Sequence, residues 1–274
     1  MVWVRSHVRI VAVLGIRNEE AYLANCLRHL MRNGIDFVII DNGSTDGSAA
    51  IYSRREFASA LVDVWHLSFE GVFSLGAQVA VKTAIIESLA ADWVMHLDAD
   101  EEMHSRDAGE RLCDAIARID DAGWNAINFD EFVFVPIDDE YRPEIDGQQS
   151  VSSYYFFEPV PHRLMRIWRR SAGLTMEAAA GHTLTGPNLR LAPENFVLRH
   201  YIVRDQIHAY QKYEARMFSQ VEVAKGWHGN RVGVPKEAFR FPPAAQLKRL
   251  INPQQCDLDR SEPWSKHYWQ RPGA

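Results

Sequence analysis

Strand-like and helix-like segments alternate without interruption over the first hundred residues of this chain. Short apolar runs at Val8–Leu14, Asp36–Ile40, Leu61–Leu67 and Trp93–Leu97 read as strands. Glu19–Arg32, a stretch running to about Ser59, and Ser74–Ala90 read as the helices between them. Leu23, Cys26, Leu27, Leu30 and Met31 fall at helical spacing, and Gly34 stands where a helix ends. Asn42–Gly47 reads as a turn and a helix start, with Ser44 or Thr45 as N-cap. Such alternation implies a mainly parallel sheet with helices on both faces. Right-handed crossovers then bring the C-terminal strand ends to one edge, where ligands sit in open α/β sheets.

Two of those ends carry acid. The second predicted strand stops at Asp41, and the fourth runs into Asp98-Ala99-Asp100-Glu101-Glu102. Paired hard carboxylates suit an oxygen-loving divalent cation, which in turn suits a phosphate-bearing substrate. An acidic helix N-terminus is the plainer alternative.

Beyond Asp107 the pattern loosens. Asp107–Ile119 reads as an amphipathic helix, and Asn125–Val135 as one or two strands. Pro136–Ser153 reads as a loop, and Tyr154–Phe157, Arg163–Trp168 and Asn195–Tyr201 as short strands. Asp205–Ala224 is expected to form one helix, with Ile207, Tyr210, Tyr213, Met217 and Val221 as its apolar stripe.

Composition narrows the function classes. At 274 residues and 47% hydrophobic the chain can bury a normal core. A net charge of -6 argues against a nucleic-acid partner bound by bulk charge. Cys26, Cys113 and Cys256 are too scattered for a CxxC pair or a disulfide framework. No apolar run approaches the roughly 20 residues of a membrane span. Val8–Leu14 is followed at once by charge and reads as a strand, not a signal peptide. A cytoplasmic protein is expected, with peripheral contact at the inner face of the membrane left open.

Four segments then line up. Gly15-Ile16-Arg17-Asn18-Glu19-Glu20 follows the first strand, and Ile39-Ile40-Asp41-Asn42-Gly43-Ser44-Thr45-Asp46-Gly47-Ser48 spans the end of the second. His96-Leu97-Asp98-Ala99-Asp100-Glu101 closes the fourth, and Leu198-Arg199-His200-Tyr201 comes late. In this order they resemble glycosyltransferase family 2, with its GT-A nucleotide-sugar-binding fold. The likeness is to the bacterial branch with an R-N-E start and a late H-Y-x-x-R element, here His200-Tyr201-Ile202-Val203-Arg204. It covers residues 8–105 well and continues in order to about 216.

The fold this implies is α/β: a GT-A, Rossmann-like, mainly parallel sheet flanked by helices, with a small mixed-sheet acceptor half and a helical C-terminal tail. The expected boundaries are 1–226 for the GT-A domain and 227–274 for a C-terminal extension. Within the domain, 1–105 is the nucleotide-binding half and 106–226 the acceptor half.

The resemblance also implies an activity: metal-dependent transfer of a sugar from a nucleotide-diphosphate sugar, with a UDP-sugar favoured. The acceptor is a glycan, a lipid-linked molecule or a small molecule, in a cell-envelope pathway. Breaking the bond to the anomeric carbon builds negative charge on the departing phosphate, which a cation stabilises. Asp100 takes the metal-binding role, with Asp98 on the ribose, the metal or both, and His200 completing the metal shell. Mn²⁺ or Mg²⁺ fits oxygen ligands, and an imidazole favours Mn²⁺. Asp41 would accept the imide N–H of a uracil or thymine ring; an Asx turn is its structural alternative. Arg17 and Asn18 would line the nucleotide pocket, and Glu19 would join them or cap the next helix. Arg163 and Arg166 would meet the donor phosphates or form a solvated basic edge. Gln78 and Lys82 would face the sugar, with a helix-surface position as the favoured alternative for Lys82.

One departure affects catalysis. An inverting transferase needs a general base. Gly181-His182-Thr183-Leu184 places Thr183 where relatives often carry Glu. Glu177 and His182 are the catalytic candidates, with Glu158, Asp130 and Glu131 as displaced alternatives. Thr183 also keeps open a non-catalytic nucleotide- or carbohydrate-binding relative. A nucleotidyltransferase is less favoured, because residues 15–20 are acidic and poor in glycine. Trp227, Trp264, Tyr268 and Trp269 are expected to pack against the body, with an acceptor wall as the second reading. Oligomeric state has no readable signal.

Overall fold

The computed structural model describes residues 8–137, 151–176, 181–213, 216–225, 227 and 233–271. Three βα units come first: β1 (Ile10–Ile16), α1 (Leu23–Arg32), β2 (Asp36–Asp41), α2 (Ser48–Tyr52), β3 (Leu61–His66) and α3 (Leu75–Ser88). β4 (Trp93–Leu97), β5 (Glu101–His104) and α4 (Leu112–Asp121) follow. The later half holds β6 (Ala126–Phe134), β7 (Ser153–Phe157), β8 (Met165–Arg169) and β9 (Phe196–His200). It also holds α5 (Gln206–Tyr213), α6 (Gln220–Ala224) and the two-residue β10 (Lys248–Arg249).

Among the described residues the strands form one ten-stranded mixed sheet in the order β10-β7-β6-β8-β4-β1-β2-β3, with β9 pairing β5 and β6. β4, β1, β2 and β3 are parallel neighbours, as the alternation predicts. β8 runs antiparallel between β4 and β6 and joins the two halves. β6 is long enough to pair β8 through its first residues and β7 and β9 through its last.

Period-two alternation sends the two sides of β1 into two cores. Ile10, Ala12, Leu14 and Ile16 pack with Leu23, Leu27 and Leu30 of α1 and Ile116 of α4. Val11 and Val13 pack with Val79, Ile85 and Ile86 of α3. Each fully buried Leu or Ile contributes about 1.5–3 kcal/mol, so the parallel strands are fixed from both faces. α1 ends as expected: Asn33 N–H bonds back to His29 and Leu30, and Gly34 takes φ 70°.

Four expectations are corrected. α2 starts at Ser48, after Gly47, and neither Ser44 nor Thr45 caps it; Asp46 Oδ1 accepts from Ser48 N at 2.9 Å. The acidic stretch after Asp100 is a strand, because β5 pairs with β9 from Glu101↔His200 to His104↔Val197. Lys82 is 2% exposed rather than on the helix surface, and its ammonium reaches Asp98. The helix expected over 205–224 is interrupted. Phe73 N donates to Met217 O at 2.8 Å and Ser219 N to Phe73 O at 3.1 Å, which takes this backbone out of helical pairing. Glu222 then accepts from Leu75 N at 3.0 Å and Gly76 N at 2.7 Å, placing its charge at the α3 N-terminus. Ile207, Met217 and Val221 therefore stay exposed and form no buried stripe.

The tail packs onto the later half. Trp264 stacks on Tyr155 at 4.2 Å, and Trp269 on His267 at 4.4 Å. Tyr155, Tyr213, Phe239, Tyr268 and Trp269 share a third buried cluster.

Candidate active site

A cavity of about 570 Å³ opens at the C-terminal ends of β1 and β4, within the roughly 300–1,000 Å³ of small-molecule sites. The β1 end contributes Gly15, Ile16 and Arg17, and the turn after β4 contributes Asp98 and Asp100. Glu131, Arg166 and His200 reach it from β6, β8 and β9. Lys212 and Tyr213 of α5 line it, as do Ser265, His267 and Gln270 of the tail.

The acids form a chain. His200 Nδ1 lies 2.6 Å from Glu131 Oε1, and Nε2 lies 3.4 Å from Asp100 Oδ2. A proton on Nδ1 directed at Glu131 leaves the Nε2 lone pair facing Asp100. A carboxylate-oriented imidazole beside a second carboxylate is a donor set for a divalent ion. Asp100 and His200 therefore fit Mn²⁺ or Mg²⁺, with Glu131 holding the ring.

Buried cations balance this charge. Lys82 Nζ is 3.5 Å from Asp98 Oδ1 and donates to Leu97 O at 3.3 Å. Arg166 Nη2 donates to Glu101 Oε1 at 2.9 Å and lies 4.0 Å from Asp98 Oδ2. Arg163 pairs with Glu131. Lys212 pairs with Asp100 and donates to Ile202 O at 2.9 Å. Burial pushes the Asp100 carboxyl up, but Lys212 and His200 outweigh it and hold it well below the usual range. Glu19 has the opposite balance: burial, aided by Asp100 and Asp98 against Lys212 and Arg216, lifts it to about 8. Burial, with Lys82 and Arg166 nearby, keeps His96 neutral.

Arg17, Gln78, Asp98, Asp100, Arg163, Arg166, His182 and His200 all line the cavity. Arg17 lies over the Phe69 ring at 3.3 Å and donates to Asn42 O and Gly43 O at 3.0 and 2.7 Å. Asn18 and Asp41 do not line it. Asn18 Oδ1 accepts from Thr45 N at 2.8 Å. Asp41 Oδ1 accepts from Ser44 N at 2.8 Å, and Oδ2 from Tyr52 Oη at 3.1 Å, which is the turn arrangement. Glu19 lines the cavity, and its carbonyl accepts from Tyr22 N at 3.0 Å and Leu23 N at 2.9 Å where α1 begins, with Tyr22 as the N-cap. Glu177 lies outside the described residues. Asp130 is tied to Arg260 at 2.7 Å and to Asn195 at 2.7 Å. Gly181 sits at φ 82° against the His96 ring, where a Cβ would collide, and so sets His182 at the cavity.

Sequence reasoning missed Lys212 and the pairing roles of Glu101 and Glu131. Glu131 lies within β6, a strand the apolar run announces, whereas Glu101 opens β5, which the sequence does not announce. Lys212, a lysine on a predicted helix, carried no signal.

The glycosyl transferase family 2 profile matches residues 12–166. The lipopolysaccharide core biosynthesis glycosyltransferase LpsC of Rhizobium meliloti (strain 1021) is 32% identical over 108 residues, 39% of this chain and 37% of that protein. The chain thus spans little more than a third of the curated relative it matches. Among solved structures, S. aureus TarS 1–349 in complex with UDP aligns with TM-score 0.44 and 13% identity, covering 72% of this chain and 61% of that one. The mannosyltransferase PcManGT from Pyrobaculum calidifontis, in complex with GDP-Man and Mn²⁺, aligns with TM-score 0.44 and 16% identity, covering 76% and 63%. The profile match covers more than half of the sequence and includes the cavity's β1 and β4 ends, so the chain belongs to glycosyl transferase family 2.

Proposed function

We propose that this chain is a metal-dependent glycosyltransferase that moves a sugar, with inversion, from a UDP-sugar to a glycan, lipid-linked or small-molecule acceptor. The observation that carries the reading is the Asp100–His200–Glu131 chain inside a cavity that also presents Arg163 and Arg166. Asp100 and His200 would hold Mn²⁺ or Mg²⁺, and Asp98 would meet the ribose or the same ion. When bound, the cation neutralises charge on the departing diphosphate.

Arg163 and Arg166 would donate to phosphate oxygens. Glu131 and Glu101 fix their guanidinium groups, so little ordering is left to binding. Gln78, beside Gly15, would face the sugar. His182 would take the acceptor proton, or Glu177 would. Base recognition is assigned to Asp41, Arg17 and Asn18 from the family resemblance. The likeness to a lipopolysaccharide core enzyme supports a role in cell-envelope glycan synthesis. We place the activity in the cytoplasm, at or near the inner face of the membrane; no described helix is long and apolar enough to cross it.

Asp100→Ala should abolish Mn²⁺-dependent UDP binding in calorimetry while circular dichroism stays unchanged. Unchanged affinity would remove the metal assignment. Turnover of UDP-sugars with Mn²⁺ separates an enzyme from a non-catalytic binder.

A further inference from the structure

A second group of ligating side chains lies away from the cavity, where β5 meets α1. One ring nitrogen of His29, one of His104 and a carboxylate oxygen of Glu102 lie within 4.8 Å of one another. Glu102 and His104 are two apart on β5 and so share a face of the strand. His29 comes from the last turn of α1 and is 6% exposed. The two imidazoles meet edge-on, with centroids 4.7 Å apart. None of the three lines the cavity.

We propose that His29, Glu102 and His104 form a zinc site that ties α1 to β5. Two observations point to a ligand. His104 Nε2 is buried without a hydrogen-bond partner; Glu102 Oε2, at 3.6 Å, is too far to supply one. Buried polar atoms are rarely left in that state. His29 Nε2 lies 2.7 Å from Met103 O, which orients the ring and leaves the lone pair on Nδ1. A backbone carbonyl on the far nitrogen is the usual support of a metal-bound histidine.

Two imidazoles and one carboxylate select Zn²⁺ over the hard cations, with a fourth position for water. Metal–ligand bonds of about 2.0–2.2 Å in a tetrahedron put donor atoms roughly 3.3–3.5 Å apart. The Glu102–His104 separation of 3.6 Å is already close to that, and the His29 ring, which also has Asn33 Nδ2 3.4 Å from its Nε2, must move in from within 4.8 Å. Arg199 faces Glu102 across the β5–β9 pair, but its guanidinium donates to Pro253 O at 2.7 Å and Gln255 O at 2.6 Å. Its Nη1 and Nη2 are thereby held by those carbonyls, and its Nε has no hydrogen-bond partner among the described residues. The site's consequence is positional: β5 begins at Glu101, next to Asp100, so the ion would anchor the strand that directly follows the cavity acids.

The test uses the full chain, stripped with chelator and titrated with Co²⁺ and then Zn²⁺. It is run on the wild type and on an Asp100→Ala/His200→Ala variant, which lacks the cavity ligands. About one equivalent of Co²⁺ with tetrahedral visible absorption is expected in both, displaced by Zn²⁺ with a rise in Tm. His104→Gln and Glu102→Gln should lose the absorption and the Zn²⁺-dependent rise. No tetrahedral Co²⁺ in the double variant would overturn the site, as would full retention in His104→Gln and Glu102→Gln. If His104→Gln does not fold, the double variant and Glu102→Gln decide the question. Failure here leaves the cavity assignment standing, because the cavity ligands are read separately.

Discussion

Replacing Lys212 by methionine probes how the cavity divides its positive charge. The Lys212 ammonium pairs with Asp100 and bonds to Ile202 O at 2.9 Å. A divalent ion on Asp100 would meet that ammonium at close range. At about 4 Å and an effective dielectric of about 20, a single and a double charge repel by roughly 8 kcal/mol. Lysine relieves most of this by swinging away, at the expense of its own two bonds. If only about 1.4 kcal/mol survives as a net penalty, its removal tightens Mn²⁺ binding tenfold. Without metal the sign reverses. Asp100 is 6% exposed, and breaking a buried ion pair by removing one partner costs about 3–5 kcal/mol. Lys212→Met should therefore melt earlier than wild type in chelator and regain more stability in Mn²⁺. Titration followed by the electron paramagnetic resonance signal of free Mn²⁺ gives the affinity, and melting with and without Mn²⁺ gives the second readout. Equal or weaker Mn²⁺ binding in the variant would refute the reasoning and make Lys212 part of the framework that shapes the acids.

Other outcomes follow from the same geometry. Glu19, raised to about 8 by burial, contributes stability that is present below its unfolded pKa and lost as pH rises toward 8. The melting advantage of Glu19→Gln over wild type should grow from pH 5 to pH 8 and then level off; a pH-independent difference would contradict the buried-acid assignment. Asp41→Ala removes the acceptor of Ser44 N and Tyr52 Oη and should cost about 1–3 kcal/mol in denaturant unfolding. If Asp41 also reads the base, calorimetry will show UDP weakened more than GDP; an equal loss, or none, places base recognition elsewhere.

What could be read in advance depended on periodicity. β1, β2 and β4 are apolar runs between helices, and their order told where Asp98 and Asp100 would sit. His200 was placed near the end of a strand by the run Asn195–Tyr201, and its role in the site came from the family resemblance. β5 was not legible, because Glu101-Glu102-Met103-His104 has no β-branched residue; its conformation comes from pairing with β9. Lys82 was misplaced because a helical lysine normally faces water, whereas this one has a carboxylate in reach. The break between α5 and α6 has no proline or glycine to announce it. It arises because Phe73 takes Met217 and Ser219 as backbone partners, a long-range event that no local window contains.

Ser265, His267 and Gln270 line the same cavity as Gly15 and Arg17. The two sides of that space are therefore encoded about 250 residues apart. Substitutions in the 265–270 segment can reshape one face of the chamber without disturbing the parallel strands opposite. Exchanging that segment between relatives is accordingly a direct way to ask which partner molecule each chamber admits.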